Sequence, residues 1–274
     1  MQKIPDFQAW KARAQRISML TCYDFSTARL LARTSVDALL VGDSCAMVVH
    51  GHPDTLHATV DMMALHTAAV RRGAPDKLVI ADLPFLSYRA GTDRAVDAVD
   101  ALMKSGANAV KLEGADGNTE LVAHLVASGV PVMGHLGLTP QSVQVLGGYR
   151  TQARDATRAA RLVADARALE AAGCFAVVLE CVPAEVAERV TGALSVPTIG
   201  IGCGPEVSGQ VLVINDLLTM DPDFRPRFVR AYAGLGPLLV DAAQRYCEDV
   251  VAGRFPAIGE FVSEPALAEA GTGP

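Results

Sequence analysis

Aromatic residues are scarce in this chain: five per cent of its 274 positions are Phe, Trp or Tyr, and only one is Trp. Charge is scarce too, at a fifth of the residues, and it is unbalanced toward acid, with a net charge of −6. No basic stripe with interleaved aromatics appears, so neither nucleic acid nor an anionic membrane is expected as a partner. No apolar run approaches the roughly 18 residues that a membrane span needs. Met1 to Arg16 carries charges throughout and has no apolar h-region, so it does not read as a signal peptide, and a cytoplasmic location is expected. The six cysteines form no CxxC pair. That excludes a recognisable zinc knuckle or disulfide framework and leaves reduced thiols as the reading.

What the chain does have is hydrophobic residues, which make up half of it. That is enough for a large core, and the length is close to the usual size of a (β/α)8 barrel. Short apolar runs without alternation, the pattern of parallel strands covered on both faces, recur along the chain. They fall at Ile17–Thr21, Ala38–Val41, Leu78–Asp82, Ala109–Glu113, Val130–His135, Phe175–Glu180, Val196–Gly200 and Gln210–Ile214, with helical segments between them. Eight strands is a number that closes a barrel. The expected fold is therefore α/β, a (β/α)8 TIM barrel in a single domain over residues 17–262. An N-terminal helix, Pro5 to Arg16, precedes it within residues 1–16, and a flexible, disordered tail follows at 263–274. Near the end, Phe224 to Val251 reads as helix, broken or kinked at Pro237.

Four of these runs stop in an acid: Asp43 just after the second, then Asp82, Glu113 and Glu180. A single acid after a strand often only caps a helix or faces water. In a parallel barrel, however, the carboxyl ends of all strands meet at one face, where such enzymes do chemistry. Acids gathered there repel one another unless a cation sits among them, so a bound metal is expected. Lys111 lies two residues before Glu113 and projects to the same side, as a shared functional pair or as a simple ion pair. Glu180 has Val178 in the equivalent place. Apolar surroundings would raise its pKa toward that of a general base working near neutrality. His135 closes the fifth run as a ligand, an acid or base, or a scaffold residue.

The stretch Gln141 to Gln152, with Gly147-Gly148-Tyr149, is long enough to read as a flap. His50, His52 and His57 lie in a loop with irregular spacing and do not read as a zinc site. Ile201-Gly-Cys-Gly204 comes late in the chain and lacks the acid that accompanies a dinucleotide fingerprint, so it reads as a tight turn.

Several stretches together resemble the ketopantoate hydroxymethyltransferase family: Met19-Leu-Thr-Cys-Tyr-Asp24, Leu40-Val-Gly-Asp-Ser44, His66 to Gly73, Ala81-Asp-Leu-Pro-Phe85, Val110-Lys-Leu-Glu-Gly114, Gly134 to Gln141, Ile199-Gly-Ile-Gly202 with Gly209 to Val213, and Gly253-Arg-Phe-Pro256. They span about residues 17 to 262. The resemblance implies a Mg²⁺-dependent barrel that joins a one-carbon unit from 5,10-methylenetetrahydrofolate to 3-methyl-2-oxobutanoate, giving 2-dehydropantoate for pantothenate synthesis. It implies Asp43, Asp82 and Glu113 as metal residues, directly or through water, and Asp43, Ser44, Asp82 and Lys111 as substrate-binding residues. Glu180 is implied as the catalytic proton acceptor, and a homo-oligomeric ring such as a decamer as the assembly. Cys45-Ala46 stands where the family usually has Leu-Gly, Ser208 where it has Asp, and Leu218-Thr219 where it has Leu-Gly. Two other readings stay open: a Mg²⁺-dependent lyase or mutase of the phosphoenolpyruvate/isocitrate lyase type, whose lysine-glycine-cysteine loop is not found here, and a barrel that binds a keto acid without catalysis.

Overall fold

Eight apolar runs become eight parallel strands, which pair in chain order until the last returns to the first. In the computed structural model, which describes residues 3–224 and 226–261, the strands are β1 (Ile17–Thr21), β2 (Ala38–Val41), β3 (Leu78–Asp82), β4 (Ala109–Glu113), β5 (Val132–Gly137), β6 (Ala176–Glu180), β7 (Thr198–Ile201) and β8 (Gly209–Leu212). The barrel is closed. Every residue of β2, β3 and β4 is buried, because one face meets the barrel interior and the other the surrounding helices.

Helix α1 (Ile4–Ala12) precedes the barrel. The connections then carry α2 (Phe25–Leu31), α3 (Cys45–Val48), α4 (Val60–Gly73), α5 (Thr92–Lys104), α6 (Thr119–Ala127), α7 (Val143–Leu146), α8 (Ala156–Ala171) and α9 (Ala184–Ala193). The chain divides into two compact units. One holds the described residues up to Ile214 together with Arg227–Val229, and the other holds the remaining described residues.

Within the first unit, side chains alternate along each strand, so every second residue faces the interior. Read from the start of the strands, the inward positions are Leu78, Ile80, Asp82 on β3; Ala109, Lys111, Glu113 on β4; and Ala176, Val178, Glu180 on β6. The early positions join Ile17, Met19, Ala38, Leu40, Met133, Ile199 and Val211 in one apolar cluster. Phe7 of α1 belongs to that cluster and is fully buried. Its ring lies 5.3 Å from Phe175, edge-on at 89°. Lys11 fastens α1 in place by donating to the carbonyls of Thr191, Leu194 and Val196 at 2.7, 2.8 and 2.9 Å.

Several boundaries differ from those read in the sequence. β5 begins at Val132, after Pro131, which has no N–H to give to a ladder, and runs on to Gly137. A Cβ at Gly137 would stand 2.3 Å from the Glu180 carbonyl oxygen, and its φ of +91° is one that glycine adopts freely. β8 ends at Leu212, because the Ile214 N–H turns to Thr21 Oγ1 at 2.9 Å and begins α10 (Ile214–Leu217).

In the second unit the helix expected from Phe224 starts only at Leu235, as α11 (Leu235–Val251). Pro222 and Pro226 precede it, and Pro237 lies in its first turn, where a helix has no use for the missing N–H. No residue of α11 is buried, and Leu238, Leu239, Val240 and Val251 stand exposed on it. The tail read as disordered, 263–274, lies outside the described residues. Among the described residues no helix is long and apolar enough to cross a membrane.

Candidate active site

The register of the barrel sets the site. Asp82 is the pairing partner of Lys111, and Glu113 that of His135. Glu180 pairs with Gly137, two residues beyond His135. Asp43 arrives from β2 through Gly42, where a Cβ would come within 2.9 Å of Ser44 Oγ and 3.6 Å of Asp82 Oδ2. A side chain there would press on the Ser44 hydroxyl as it now stands. The Asp43 N–H then donates to Asp82 Oδ2 at 3.0 Å.

Asp43, Asp82, Lys111, Glu113 and His135 are each at most 4% exposed. Lys111 Nζ sits 2.7 Å from Asp82 Oδ1 and 3.1 Å from His135 Nδ1. His135 Nδ1 lies 3.4 Å from Glu113 Oε1, and its Nε2 lies 3.2 Å from Glu180 Oε2. These pairs are close, yet Asp82 Oδ1, Glu113 Oε1 and His135 Nε2 have no aligned hydrogen bond. Distance and alignment disagree here; we read the contacts as electrostatic, with oxygens still free to accept. Glu180 is the most open of the four acids, its side chain 18% exposed. Its surroundings are not the apolar pocket inferred from Val178, because the His135 ring stands across from it.

Burial, with Asp82 and Glu113 close by, lifts the Asp43 carboxyl well above its usual range. Burial also raises that of Asp82, against the pull of Lys111. Burial alone would lower the Lys111 pKa, but Asp82, Glu113 and Asp43 together raise it. For His135, burial and Lys111 favour the neutral ring, and Glu113 and Glu180 outweigh them, bringing its pKa up to about 9. The contact with Lys111 points the other way. An ammonium can only donate, so Nδ1 must offer a lone pair and the ring proton must sit on Nε2, toward Glu180. The contact and the raised pKa describe two protonation states of one ring, and the neutral one is the state that accepts from Lys111 Nζ.

Sequence reasoning did not single out Gln141, Tyr88 or Tyr23. Gln141 is buried and lies in a single 3₁₀ turn, Pro140–Ser142, directly after β5. Its Nε2 donates to Asp43 Oδ2 at 2.8 Å and to the Leu83 carbonyl at 2.9 Å, and its backbone N–H donates to Glu113 Oε2 at 3.0 Å. Tyr88 donates to Gln141 Oε1 at 2.8 Å. Tyr23 Oη and Ser44 Oγ share a hydrogen bond of 2.9 Å.

The stretch expected as a flap lies beside this site. Tyr149 Oη is 3.6 Å from Met47 Sδ, and burial together with Asp54, Asp43, Glu180 and Glu113 raises its pKa. The three loop histidines take other partners. His50 meets His66 at 2.8 Å, His52 stacks on His57 with ring centroids 4.6 Å apart, and His57 bonds Asp54. All six cysteines are free.

Known proteins place this arrangement in a context. A family model described as ketopantoate hydroxymethyltransferase matches residues 1–258. A 3-methyl-2-oxobutanoate hydroxymethyltransferase from Bdellovibrio bacteriovorus is 52% identical over 263 residues, covering 96% of this chain and all of that one. One from Legionella pneumophila (strain Philadelphia 1) is 49% identical, covering 93% and 98%. Among solved structures, 2,3-dimethylmalate lyase, of the PEP mutase/isocitrate lyase superfamily, aligns over 96% of this chain and 93% of its own with a TM-score of 0.59 at 19% identity. Phosphonopyruvate hydrolase in complex with oxalate and Mg²⁺ aligns over 93% and 99% with a TM-score of 0.59 at 12% identity. At such identities the likeness is one of fold.

Proposed function

Because the chain belongs to the ketopantoate hydroxymethyltransferase family, we propose that it transfers a hydroxymethyl unit from 5,10-methylenetetrahydrofolate to 3-methyl-2-oxobutanoate, forming 2-dehydropantoate and tetrahydrofolate in pantothenate synthesis. The observation that carries this reading is the buried set of Asp43, Asp82, Glu113, Lys111 and His135 with Glu180 at its edge.

The donor set suits Mg²⁺. Glu113 Oε1 is a buried oxygen without an aligned hydrogen-bond donor, Asp82 Oδ1 has the Lys111 ammonium at 2.7 Å, and four carboxyl groups gather around Lys111 and His135. Among the described residues no three His, Cys, Asp or Glu side chains converge as direct ligands of one ion. That is compatible with the habit of Mg²⁺, which takes one or two carboxylates and fills its shell with water and substrate oxygens. Asp43, Asp82 and Glu113 would hold it, some directly and the rest through water, and when bound it would supply a fixed positive charge beside the negative charge that develops on the keto acid.

The chain's own residues do the rest. Lys111 neutralises the substrate carboxylate, and the Ser44 hydroxyl, oriented by Tyr23, hydrogen-bonds to it. Glu180 takes the proton from C3; general-base assistance of this kind contributes about 10²–10⁴ in rate. His135, with its proton toward Glu180, holds that carboxylate in line. The carbanion at C3 then bonds to the folate methylene carbon as one of its two C–N bonds breaks, and water replaces the remaining folate nitrogen, which leaves protonated, so that the hydroxymethyl group and tetrahydrofolate are released together. Exposed apolar residues on one face of α11, Leu235, Leu238, Leu239 and Val250 among them, support assembly into a homo-oligomer, because a monomer seldom leaves such a face bare.

The direct test is product formation by the purified protein. 2-Dehydropantoate is expected only when the keto acid, methylenetetrahydrofolate and Mg²⁺ are all supplied; formation without the folate or without the cation contradicts the reading.

A further inference from the structure

The acids at the barrel mouth share a pattern that the reaction itself does not require. Asp43, Asp82 and Glu113, though not Glu180, each have one oxygen held by an amide N–H and another left for other partners. Asp82 Oδ2 is held by the Asp43 backbone, Asp43 Oδ2 by the Gln141 side chain, and Glu113 Oε2 by the Gln141 backbone. One residue, from the turn after β5, thus fixes two acids delivered by β2 and β4.

The chemistry of the donor matters. A lysine or arginine in this place would orient the acids but cancel their charge. An amide orients them and leaves the charge in full. The side-chain amide has only one sensible orientation. Its nitrogen faces two acceptors, Asp43 Oδ2 and the Leu83 carbonyl, while its oxygen receives the Tyr88 hydroxyl. Turning it over would set oxygen against two oxygens. Tyr88 is itself held, lying 3.3 Å from both the Glu113 backbone N–H and the Glu113 carbonyl.

We propose that Gln141, locked by Tyr88, is a positioning residue that presents Asp43 and Glu113 to a divalent cation. The inference rests on the metal reading given above. A partner that orients a ligand without touching the ion typically changes affinity about 10- to 100-fold. Gln141→Met keeps the shape and the backbone N–H to Glu113 but removes the donor to Asp43.

The test uses Mn²⁺ as probe, with free ion counted by electron paramagnetic resonance in titrations of cation-free protein, and circular dichroism as the check on folding. Gln141→Met is expected to weaken Mn²⁺ binding about tenfold. In assays it is expected to raise the Mg²⁺ concentration for half-activation by the same factor, with kcat largely restored at saturating Mg²⁺. Tyr88→Phe leaves every group but one hydroxyl and is expected to shift both in the same direction by about threefold.

A folded Gln141→Met protein that binds Mn²⁺ within twofold of the wild type overturns the proposal. If Gln141→Met does not fold, Tyr88→Phe decides, and unchanged affinity there overturns it. A wild-type protein that binds no Mn²⁺ defeats the metal reading instead, so the two failures are told apart.

Discussion

Where the strands begin, the barrel is filled by Phe7 and a layer of apolar side chains; where they finish, the same inward positions carry Asp82, Lys111, Glu113, His135 and Glu180. Apart from Glu180 at the rim, both ends are buried, so water does little to distinguish them. The difference lies in what burial does. At the α1 end it is favourable in itself, at roughly 25 cal/mol per Å² of apolar surface. At the other end burial opposes charge, and it lifts the carboxyls of Asp43 and Asp82 above their usual range. One end is organised for stability. The other sets four carboxyl groups around Lys111 and His135, an arrangement that a cation or a substrate would complete under the proposed function.

The comparison can be broken from either side. The largest effect is expected at the mouth: Lys111→Met leaves buried acids unpaired and should cost about 3–5 kcal/mol in urea unfolding of the cation-free protein. It should also abolish keto-acid turnover, and Mg²⁺ should recover part of the stability. Phe7→Ala should cost a similar 3–5 kcal/mol through loss of packing. At temperatures where the variant is folded, however, its kcat should be that of the wild type. A loss of kcat there would mean that the two ends are not independent.

The next effect is one of pH. His135 is raised from 6.5 to about 9, so its charged form stabilises the fold fully below pH 6.5, and that stability is lost as pH rises through about 9. At about 1.4 kcal/mol per pKa unit this amounts to on the order of 3 kcal/mol. The raised carboxyls of Asp43 and Asp82 act in the same direction, because their ionisation is resisted only in the folded state. The urea midpoint of cation-free protein should therefore fall between pH 6 and 9.5, and His135→Gln should flatten much of that slope. A wild-type midpoint that rises over this range would contradict the sign.

The smallest effect belongs to the α1 end. Lys11→Met removes three hydrogen bonds to carbonyls from a half-buried ammonium and should cost about 1–3 kcal/mol, read from thermal unfolding, with no change in the cation requirement.

Much of the barrel was legible in the sequence, because a parallel strand covered on both faces must be apolar throughout; Ala38–Val41 and Leu78–Asp82 coincide with their strands. The convergence of acids was legible for the same reason, since Asp82, Glu113 and Glu180 interrupt apolar runs at their ends. The late start of α11 was less so. Pro237 was read as a break inside a helix when it sits in the first turn, and Pro222 and Pro226 carry the stop. Gln141 and Tyr88 left no signal of their own. The bond from Gln141 to Asp43 spans 98 residues and that from Tyr88 to Gln141 spans 53, and no local pattern encodes contacts made by closing a barrel. Glu180 was given apolar surroundings because Val178 shares its strand face, whereas its partner, His135, comes from the neighbouring strand.

The central claim is that charge held at the mouth lets Glu180 remove a carbon-bound proton. It is tested most directly by following the C3 proton of 3-methyl-2-oxobutanoate by nuclear magnetic resonance in heavy water, with Mg²⁺ present and no folate. The wild-type protein should exchange that proton for deuterium, and Glu180→Gln should slow the exchange by at least about 10². A wild-type protein that leaves the proton in place, or a Glu180→Gln protein that exchanges it at the wild-type rate, would contradict the account.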